Sequence, residues 1–152
     1  MDLDEAVRHV VASAPFTPER VVSSDQPRCA NLAQGIADEW RIPVTPSPRL
    51  REMSFGEWEG MLYDAIDRTD GLRWRAWCDD WKHAAPPGGE ALPDFAARIQ
   101  RWALDDPPGE RTVVVTHAGV IRALRVMAGV SWDDAMAEDH PFLGWTEHRL
   151  RR

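Results

Sequence analysis

The chain has 152 residues, of which 43% are hydrophobic and 28% are charged, and its formal net charge is −7. This length and composition are typical of one globular domain with a sizeable core. The acidic balance argues against nonspecific nucleic-acid binding, which depends on clustered lysine and arginine.

Cysteine usage and hydropathy indicate the cellular compartment in which the chain works. The apolar runs are too short for a membrane span, and no signal peptide is recognisable. The two cysteines, Cys29 and Cys78, have neither metal-ligand nor redox spacing and do not suggest a disulfide framework. A reducing, cytoplasmic setting without membrane contact is therefore predicted.

The first third of the chain predicts alternating helices and strands. A helix with one apolar stripe covers Leu3 to Ala14, a short buried strand covers Arg20 to Asp25, a helix covers Arg28 to Trp40, and Val44 is a candidate for a short strand. Pro27 suits the first turn of the second helix. This junction places Arg28 near a helix start, where a guanidinium can hold a phosphate bidentately. The alternative is an ordinary exposed arginine on a surface helix.

Residues 50–60 combine acidic, aromatic and glycine residues without a clean helical or strand period, which predicts an ordered loop. A carboxyl group held against Phe or Trp has its pKa raised, as a general acid requires. Three carboxylates, Glu52, Glu57 and Glu59, compete for that role, and spacing does not choose among them.

Tryptophans recur at helix-like intervals between Tyr63 and Trp81, which predicts a helix. It forms either an insertion or lid, or a helix whose rings pack in the core. The remaining predicted elements are a loop over Ala84 to Glu90, an amphipathic helix over Ala91 to Leu104, a short helix over Trp132 to Ala137 and a final edge strand over Phe142 to Leu150.

The most informative stretch runs from Glu110 to Leu124. An apolar β-branched run ends there at Val115 and predicts a strand buried on both faces. Thr116 and His117 follow, then a small-residue break and apolar residues at helical spacing. In an open α/β sheet, ligands bind beyond the carboxyl ends of the strands, and helix starts attract anions. His117 is therefore a candidate anion-binding residue, the alternative being a capped structural histidine.

Three stretches together resemble the histidine phosphatase superfamily, which includes the cofactor-dependent phosphoglycerate mutases. They are SSDQPR at residues 23–28, LREMSFGEWEG at residues 50–60 and VTHAG at residues 115–119. PPGGE at residues 86–90 further resembles the branch that contains α-ribazole phosphatase. The resemblance runs from near residue 3 to the end of the chain. It implies a single α/β domain with a three-layer, phosphoglycerate mutase-like fold, in which a mostly parallel sheet has helices on both faces.

By that resemblance Arg28 contacts the phosphate, His117 is the second active-site histidine, and Glu52 protonates the leaving oxygen. Glu57 and Glu59 then become structural residues of the loop. The implied activity is metal-independent hydrolysis of a phosphomonoester through a phosphohistidine. The favoured substrate is α-ribazole 5′-phosphate, with other small phosphoesters as alternatives. Fixed cationic donors suit a phosphoryl group in transit, and neither a metal nor another cofactor is implied.

The sequence departs from the family at the nucleophile, which is a histidine in an Arg-His-Gly motif at the end of a first strand. Arg8-His9-Val10 echoes that motif but lies in a predicted helix, lacks the glycine and follows no apolar strand. His9 is therefore rejected as the nucleophile, and the first strand is expected to be missing. Either Met1 is an internal methionine of a longer protein, which is the favoured interpretation, or the chain is a nucleophile-less remnant.

A missing strand is expected to leave sheet edges and apolar surface uncovered, which favours self-association or low stability. A monomeric, sharply melting sample would contradict that expectation. The second class of function is a non-catalytic phosphoester-binding or regulatory protein that uses Arg28 and His117, and the third is a decayed reading frame without function. Three histidines lack motif support and are expected to be surface or core residues: His83, His140 and His148.

Overall fold

The structure is a computed structural model that describes residues 1–109 and 111–149. Within those residues the helices are α1 (Leu3–Ser13), α2 (Pro27–Trp40), α3 (Tyr63–Asp79), α4 (Leu92–Asp105), α5 (Ala118–Met127) and α6 (Trp132–Ala137). The strands are β1 (Arg20–Ser24), β2 (Val44–Ser47) and β3 (Thr112–Val115). Short 3-10 turns at Pro48–Leu50 and Gly56–Trp58 lie in and beside the stretch predicted as an ordered loop.

The helix starts follow from local sequence. Asp2 caps α1, because its side chain accepts a hydrogen bond from the backbone N–H of Glu5 at 2.8 Å. Pro27 is the first residue of α2, where its missing N–H costs nothing. Ser131 caps α6 by accepting from the N–H of Asp134. The predicted helices are thus confirmed, with ends that differ by at most two residues.

The three strands form one parallel sheet in the order β2-β1-β3, which confirms the predicted α/β fold class. Val21 and Val22 in β1 are both fully buried. Because consecutive strand residues point to opposite faces, both faces of this central strand are covered. Ser23 of β1 pairs with Val115 of β3, so the two strands end side by side.

One face of the sheet packs against α1 and α2. The buried residues of this core cluster are Val7, Val10, Val21, Ala33, Ile36, Ala37 and Val113. They come from two helices and two strands, so their burial holds α1 and α2 against β1 and β3.

The prediction that the strand ending at Val115 is buried on both faces is only partly right. Val113 is buried, but Val114 and Val115 are half-buried. The reason is that β3 pairs on one side only among the described strands, so it is an edge strand. The other edge strand, β2, contains Pro46, which has no N–H to offer a further strand. The described β3 has no such residue, and self-association through this edge stays a prediction.

The predicted edge strand over Phe142 to Leu150 is wrong for residues 142–149, and Leu150 lies outside the described residues. Leu143 has a positive φ of 58°, which breaks an extended conformation. Leu143 and Trp145 instead pack against the core cluster, and the indole N–H of Trp145 donates to Ser13 Oγ at 3.0 Å. Tertiary packing therefore determines this segment.

The chain divides into two compact units, one formed by Met1–Glu52 with Ile99–Arg152 and the other by Met53–Arg98. The prediction of a single domain stays a prediction. Among the described residues, no helix combines the length and apolar character that crossing a membrane requires.

The unit Met53–Arg98 is organised by aromatic rings. The contacting rings belong to Phe55, Trp58, Tyr63, Trp74 and Trp77. Asp70 interrupts α3 with non-helical backbone angles, and its carboxylate accepts from the indole N–H of Trp58 at 2.9 Å. Ring packing is thus what the described contacts show for Trp74 and Trp77.

Candidate functional site

The candidate site lies where β1 and β3 end side by side. Each strand is followed at once by a helix, α2 after β1 and α5 after β3. Because β2 and β3 lie on opposite sides of β1, the chain reverses direction across the sheet between β1 and β3, which is where open α/β sheets bind ligands. The positive ends of two helix dipoles favour an anion there.

His117 immediately precedes α5, and the residue is 7% exposed. Its Nε2 lies 3.0 Å from Ser24 Oγ, at the end of β1. The sulfur of Cys29 lies 3.6 Å from Nε2 and 3.9 Å from Nδ1. The imidazole is thus held between the ends of two strands and the first turn of α2.

Burial is the main cause of the pKa changes of His117 and Cys29. It lowers the pKa of His117, the negative charge of Glu52 opposes this change, and the positive charge of Arg28 adds to it. Burial raises the pKa of the Cys29 thiol, which Arg28 lowers and Glu52 raises. Arg28 and Glu52 therefore both lie close enough to influence the same imidazole and thiol.

Folding stability is expected to fall on both sides of neutral pH because of these two groups. The pKa of His117 is lower in the folded state, so the unfolded chain takes up the proton first, and stability falls as the pH drops through about 6.5. The pKa of Cys29 is higher in the folded state, so the unfolded thiol ionises first, and stability falls as the pH rises past about 8.5. Urea unfolding midpoints measured from pH 5 to 10 test this.

Matched variants separate the two sides of that profile. Cys29→Ala should flatten the alkaline side, and His117→Gln should flatten the acidic side. Exposed Cys78 provides the control, since Cys78→Ala should leave the larger part of the alkaline slope in place. Parallel profiles for the wild-type chain and Cys29→Ala above pH 8.5 would contradict the assignment.

Glu52 meets the start of α5. Its carboxylate accepts a hydrogen bond from the backbone N–H of Gly119 at 3.2 Å, and its own N–H donates to Gln26 Oε1 at 3.3 Å. A Cβ at position 119 would collide with Oε1 of Glu52 and approach its Cδ to 3.0 Å. Glycine at position 119 therefore lets the carboxylate approach the helix start.

An ion pair ties the segment before Glu52 to the loop after β1. Arg51 donates to both carboxylate oxygens of Asp25 at 2.7 and 2.6 Å, and this contact lowers the pKa of Asp25. Thr116 Oγ1 donates to the carbonyl of Leu50 at 2.9 Å. These two contacts thus hold the two residues that precede Glu52.

The three residues predicted for the site lie on sequence segments that meet here. Arg28 precedes Cys29, whose sulfur contacts the imidazole of His117. Glu52 contacts the N–H of Gly119, two residues after His117. Arg28 is exposed near the start of α2. The competing carboxylates have partners within Met53–Arg98. Glu57 pairs with Arg73 at 2.9 Å, and Glu59 accepts from the N–H of Phe55 at 2.8 Å.

The other histidines lie in separate surroundings. His9 is an exposed residue of α1, as its helical pattern predicted. His83 pairs with Asp80 on the surface, and His140 lies 3.6 Å from Glu138. These contacts do not include Arg28, Glu52 or His117.

Three residues that contact the site were not predicted as candidates from the sequence: Ser24, Gln26 and Cys29. Their position along the sequence could have identified them, because they lie at the end of β1 and the start of α2. Parallel pairing of β1 with β3 brings that junction next to the end of β3. Among the described residues there is no group of three or more His, Cys, Asp or Glu side chains that could hold a metal ion.

Comparison with known proteins agrees with this geometry. Residues 4–147 match the family model of the histidine phosphatase superfamily (branch 1). The chain belongs to the histidine phosphatase superfamily. The sequence resemblance drawn from residues 23–28, 50–60 and 115–119 is thereby confirmed at the level of the family.

Sequence relatives of this chain include named phosphatases. The adenosylcobalamin/alpha-ribazole phosphatase of Escherichia coli (strain K12) is 32% identical over 107 residues, which cover 68% of this chain and 53% of that protein. The glucosyl-3-phosphoglycerate phosphatase of Mycobacterium tuberculosis (strain ATCC 25618 / H37Rv) is 33% identical over 120 residues, covering 70% of this chain and 52% of that protein. The chain thus spans about half the length of these curated relatives.

Solved structures of the superfamily share the fold. A putative alpha-ribazole-5'-P phosphatase from Escherichia coli matches with a TM-score of 0.76 and 25% identity, over 89% of this chain and 68% of that chain. A mycobacterial glucosyl-3-phosphoglycerate phosphatase matches with a TM-score of 0.68 and 29% identity, over 89% of this chain and 69% of that chain. The predicted phosphoglycerate mutase-like α/β fold is confirmed by these matches.

Proposed function

We propose that this site serves the metal-independent hydrolysis of small phosphomonoesters through a phosphohistidine. The observation that carries the proposal is that the segments bearing Arg28, Glu52 and His117 contact one another where β1 and β3 end, at the starts of α2 and α5. A phosphate dianion placed there meets a guanidinium, an imidazole and backbone N–H groups.

Each residue has a role in the proposed chemistry. The proposed chemistry requires a nucleophilic histidine besides His117, and the printed sequence has no Arg-His-Gly segment to supply it. The nitrogen of that histidine attacks phosphorus, the bond from phosphorus to the alcohol oxygen breaks, and Glu52 gives its proton to that oxygen. Water then attacks the phosphohistidine, with Glu52 taking the proton, and releases inorganic phosphate. Arg28 and His117 stabilise the charge on the equatorial oxygens in both steps.

The proposed substrate is a small phosphoester, with α-ribazole 5′-phosphate favoured. Support comes from the PPGGE segment at residues 86–90 and from relatives that are named as alpha-ribazole phosphatases. Relatives named as glucosyl-3-phosphoglycerate phosphatases support other small phosphoesters as alternatives.

The second candidate function is phosphoester binding without turnover. One observation favours it: the printed sequence contains no Arg-His-Gly segment, and its closest echo at His9 lies on α1. His117 then binds phosphate beside Arg28, with no second histidine to accept the phosphoryl group.

A paired binding and turnover assay tests both candidates. Inorganic phosphate is titrated into the wild-type chain, Arg28→Ala and the control Arg8→Ala, whose side chain is exposed on α1. Hydrogen bonds to charged groups contribute about 1.5–3 kcal/mol, so Arg28→Ala should weaken binding by roughly 10- to 100-fold. Arg8→Ala should bind as the wild-type chain does.

Turnover is measured on α-ribazole 5′-phosphate and p-nitrophenyl phosphate with EDTA present. Binding with turnover supports the hydrolase, and binding without turnover supports the second candidate. If phosphate binds the wild-type chain and Arg28→Ala equally well, or binds neither, both candidates are wrong.

A further inference from the structure

The hydroxyl of Ser24 is placed against the imidazole of His117 in a buried setting. Ser24 has a relative exposure of 0% and His117 of 7%. The distance from Ser24 Oγ to His117 Nε2 is 3.0 Å. A contact this short between two buried polar groups requires one of them to donate and the other to accept.

The hydrogen-bond partners of Ser24 decide which group donates. Its oxygen accepts from the backbone N–H of Gln26 at 3.3 Å. Among the described residues, His117 Nε2 is the one acceptor within hydrogen-bonding distance of the hydroxyl. If Nε2 carried the ring proton, the buried hydroxyl hydrogen would have no acceptor. The Ser24 hydroxyl is satisfied as both acceptor and donor when its O–H donates to an unprotonated Nε2.

We infer that Ser24 is a positioning residue for His117, holding the neutral imidazole with its proton on Nδ1. This inference rests on the proposed function for its consequence, which is that Nδ1–H is the donor His117 offers to a bound phosphate. The sulfur of Cys29 lies 3.9 Å from Nδ1 and 3.6 Å from Nε2, and it is a weak acceptor that an anion at Nδ1 would outcompete. Burial favours the neutral ring, as the lowered pKa of His117 indicates.

The neighbouring Ser23 provides a matched control. It is buried to 1% exposure, and its hydroxyl donates to the backbone carbonyl of Ser24 at 2.7 Å. Ser23→Ala and Ser24→Ala each remove one hydroxyl from a buried strand residue. Only the second removes the group that contacts the imidazole.

Nuclear magnetic resonance of the full chain with 15N-labelled histidine tests the inference. Two-bond nitrogen–proton spectra at pH 7.5 report which ring nitrogen of His117 carries the proton. The wild-type chain and Ser23→Ala should show the Nδ1–H form. Ser24→Ala should lose this preference, and the pH midpoint of its His117 titration should rise because the neutral ring loses its donor.

The wild-type spectrum decides the inference even if Ser24→Ala fails to fold. A proton on Nε2 in the wild-type chain would overturn it, and so would an unchanged Nδ1–H form in folded Ser24→Ala. Titration with inorganic phosphate separates this test from the proposed function. Ser24→Ala should bind phosphate about fivefold more weakly than Ser23→Ala, whereas a wild-type chain that shows the Nδ1–H form but binds no phosphate contradicts the proposed function alone.

Discussion

Replacing Trp102 with alanine is expected to lower the free energy of unfolding by about 3–5 kcal/mol. Trp102 lies in α4, is 1% exposed and is among the largest fully buried side chains of the chain. Removing the indole loses the free energy gained by moving the ring out of water. It also leaves a cavity that the surrounding structure fills only in part. Since single domains are stable by about 5–15 kcal/mol, this loss is a large share of the total. Urea unfolding followed by circular dichroism measures it.

Two further variants show whether the effect comes from ring burial. The indole N–H of Trp102 has no hydrogen-bond partner among the described residues, so Trp102→Phe loses no described hydrogen bond and should cost less than half as much. Trp132 is half-buried at the start of α6, and Trp132→Ala should cost less than Trp102→Ala. Equal losses for Trp102→Ala and Trp132→Ala would contradict the assignment of Trp102 to the core.

The order of helices and strands could be predicted because its signals are local. The β-branched runs before Ser24 and Thr116, the proline at position 27 and the apolar helical periodicity each act within a few residues. The burial of β3 could not be predicted in the same way. Val114 and Val115 have the composition of a central strand, and their exposure depends on which strands lie beside them.

In the candidate site, too, residues with local sequence signals could be predicted, and residues placed by long-range contacts could not. Arg28 and His117 stand out locally because each lies at a junction between a strand and a helix. Ser24 and Cys29 do not, because their contact with His117 depends on the parallel register that pairs Ser23 with Val115 across more than 90 residues of sequence. Spacing alone did not distinguish Glu52 from Glu57 and Glu59 as the candidate general acid. The contact that places Glu52 at the site is with the N–H of Gly119, which lies 67 positions away in sequence.

Replacing Gly56 with alanine is expected to destabilise the unit Met53–Arg98 by about 3 kcal/mol. Gly56 has a φ of 56°, in the left-handed region that favours glycine. A Cβ there would also collide with the backbone of Pro87, Gly88 and Gly89. Backbone atoms cannot move aside as the end of a flexible side chain can. Residues 54–57 and residues 86–90 must therefore separate to admit the methyl group.

The variant Gly60→Ala shows how much of the destabilisation comes from the left-handed backbone conformation and how much from the collision of the new Cβ. Its φ is 75°, but a Cβ at that position would meet no described atom within 4 Å. Gly60→Ala should therefore cost only the left-handed conformation, about 1–2 kcal/mol. The difference between the two variants measures how closely residues 54–57 and 86–90 approach each other.

Amide hydrogen exchange locates that difference in the structure. The backbone N–H of Glu57 donates to the carbonyl of Pro87 at 2.8 Å, and that of Glu90 donates to the carbonyl of Ser54 at 3.0 Å. Both hydrogen bonds join the two segments that the new methyl group would push apart, so Gly56→Ala should lose protection at both amides and Gly60→Ala should retain it. If both variants keep these amides protected and unfold at the same urea concentration, the close approach is not what requires glycine at position 56, and the left-handed conformation alone explains it.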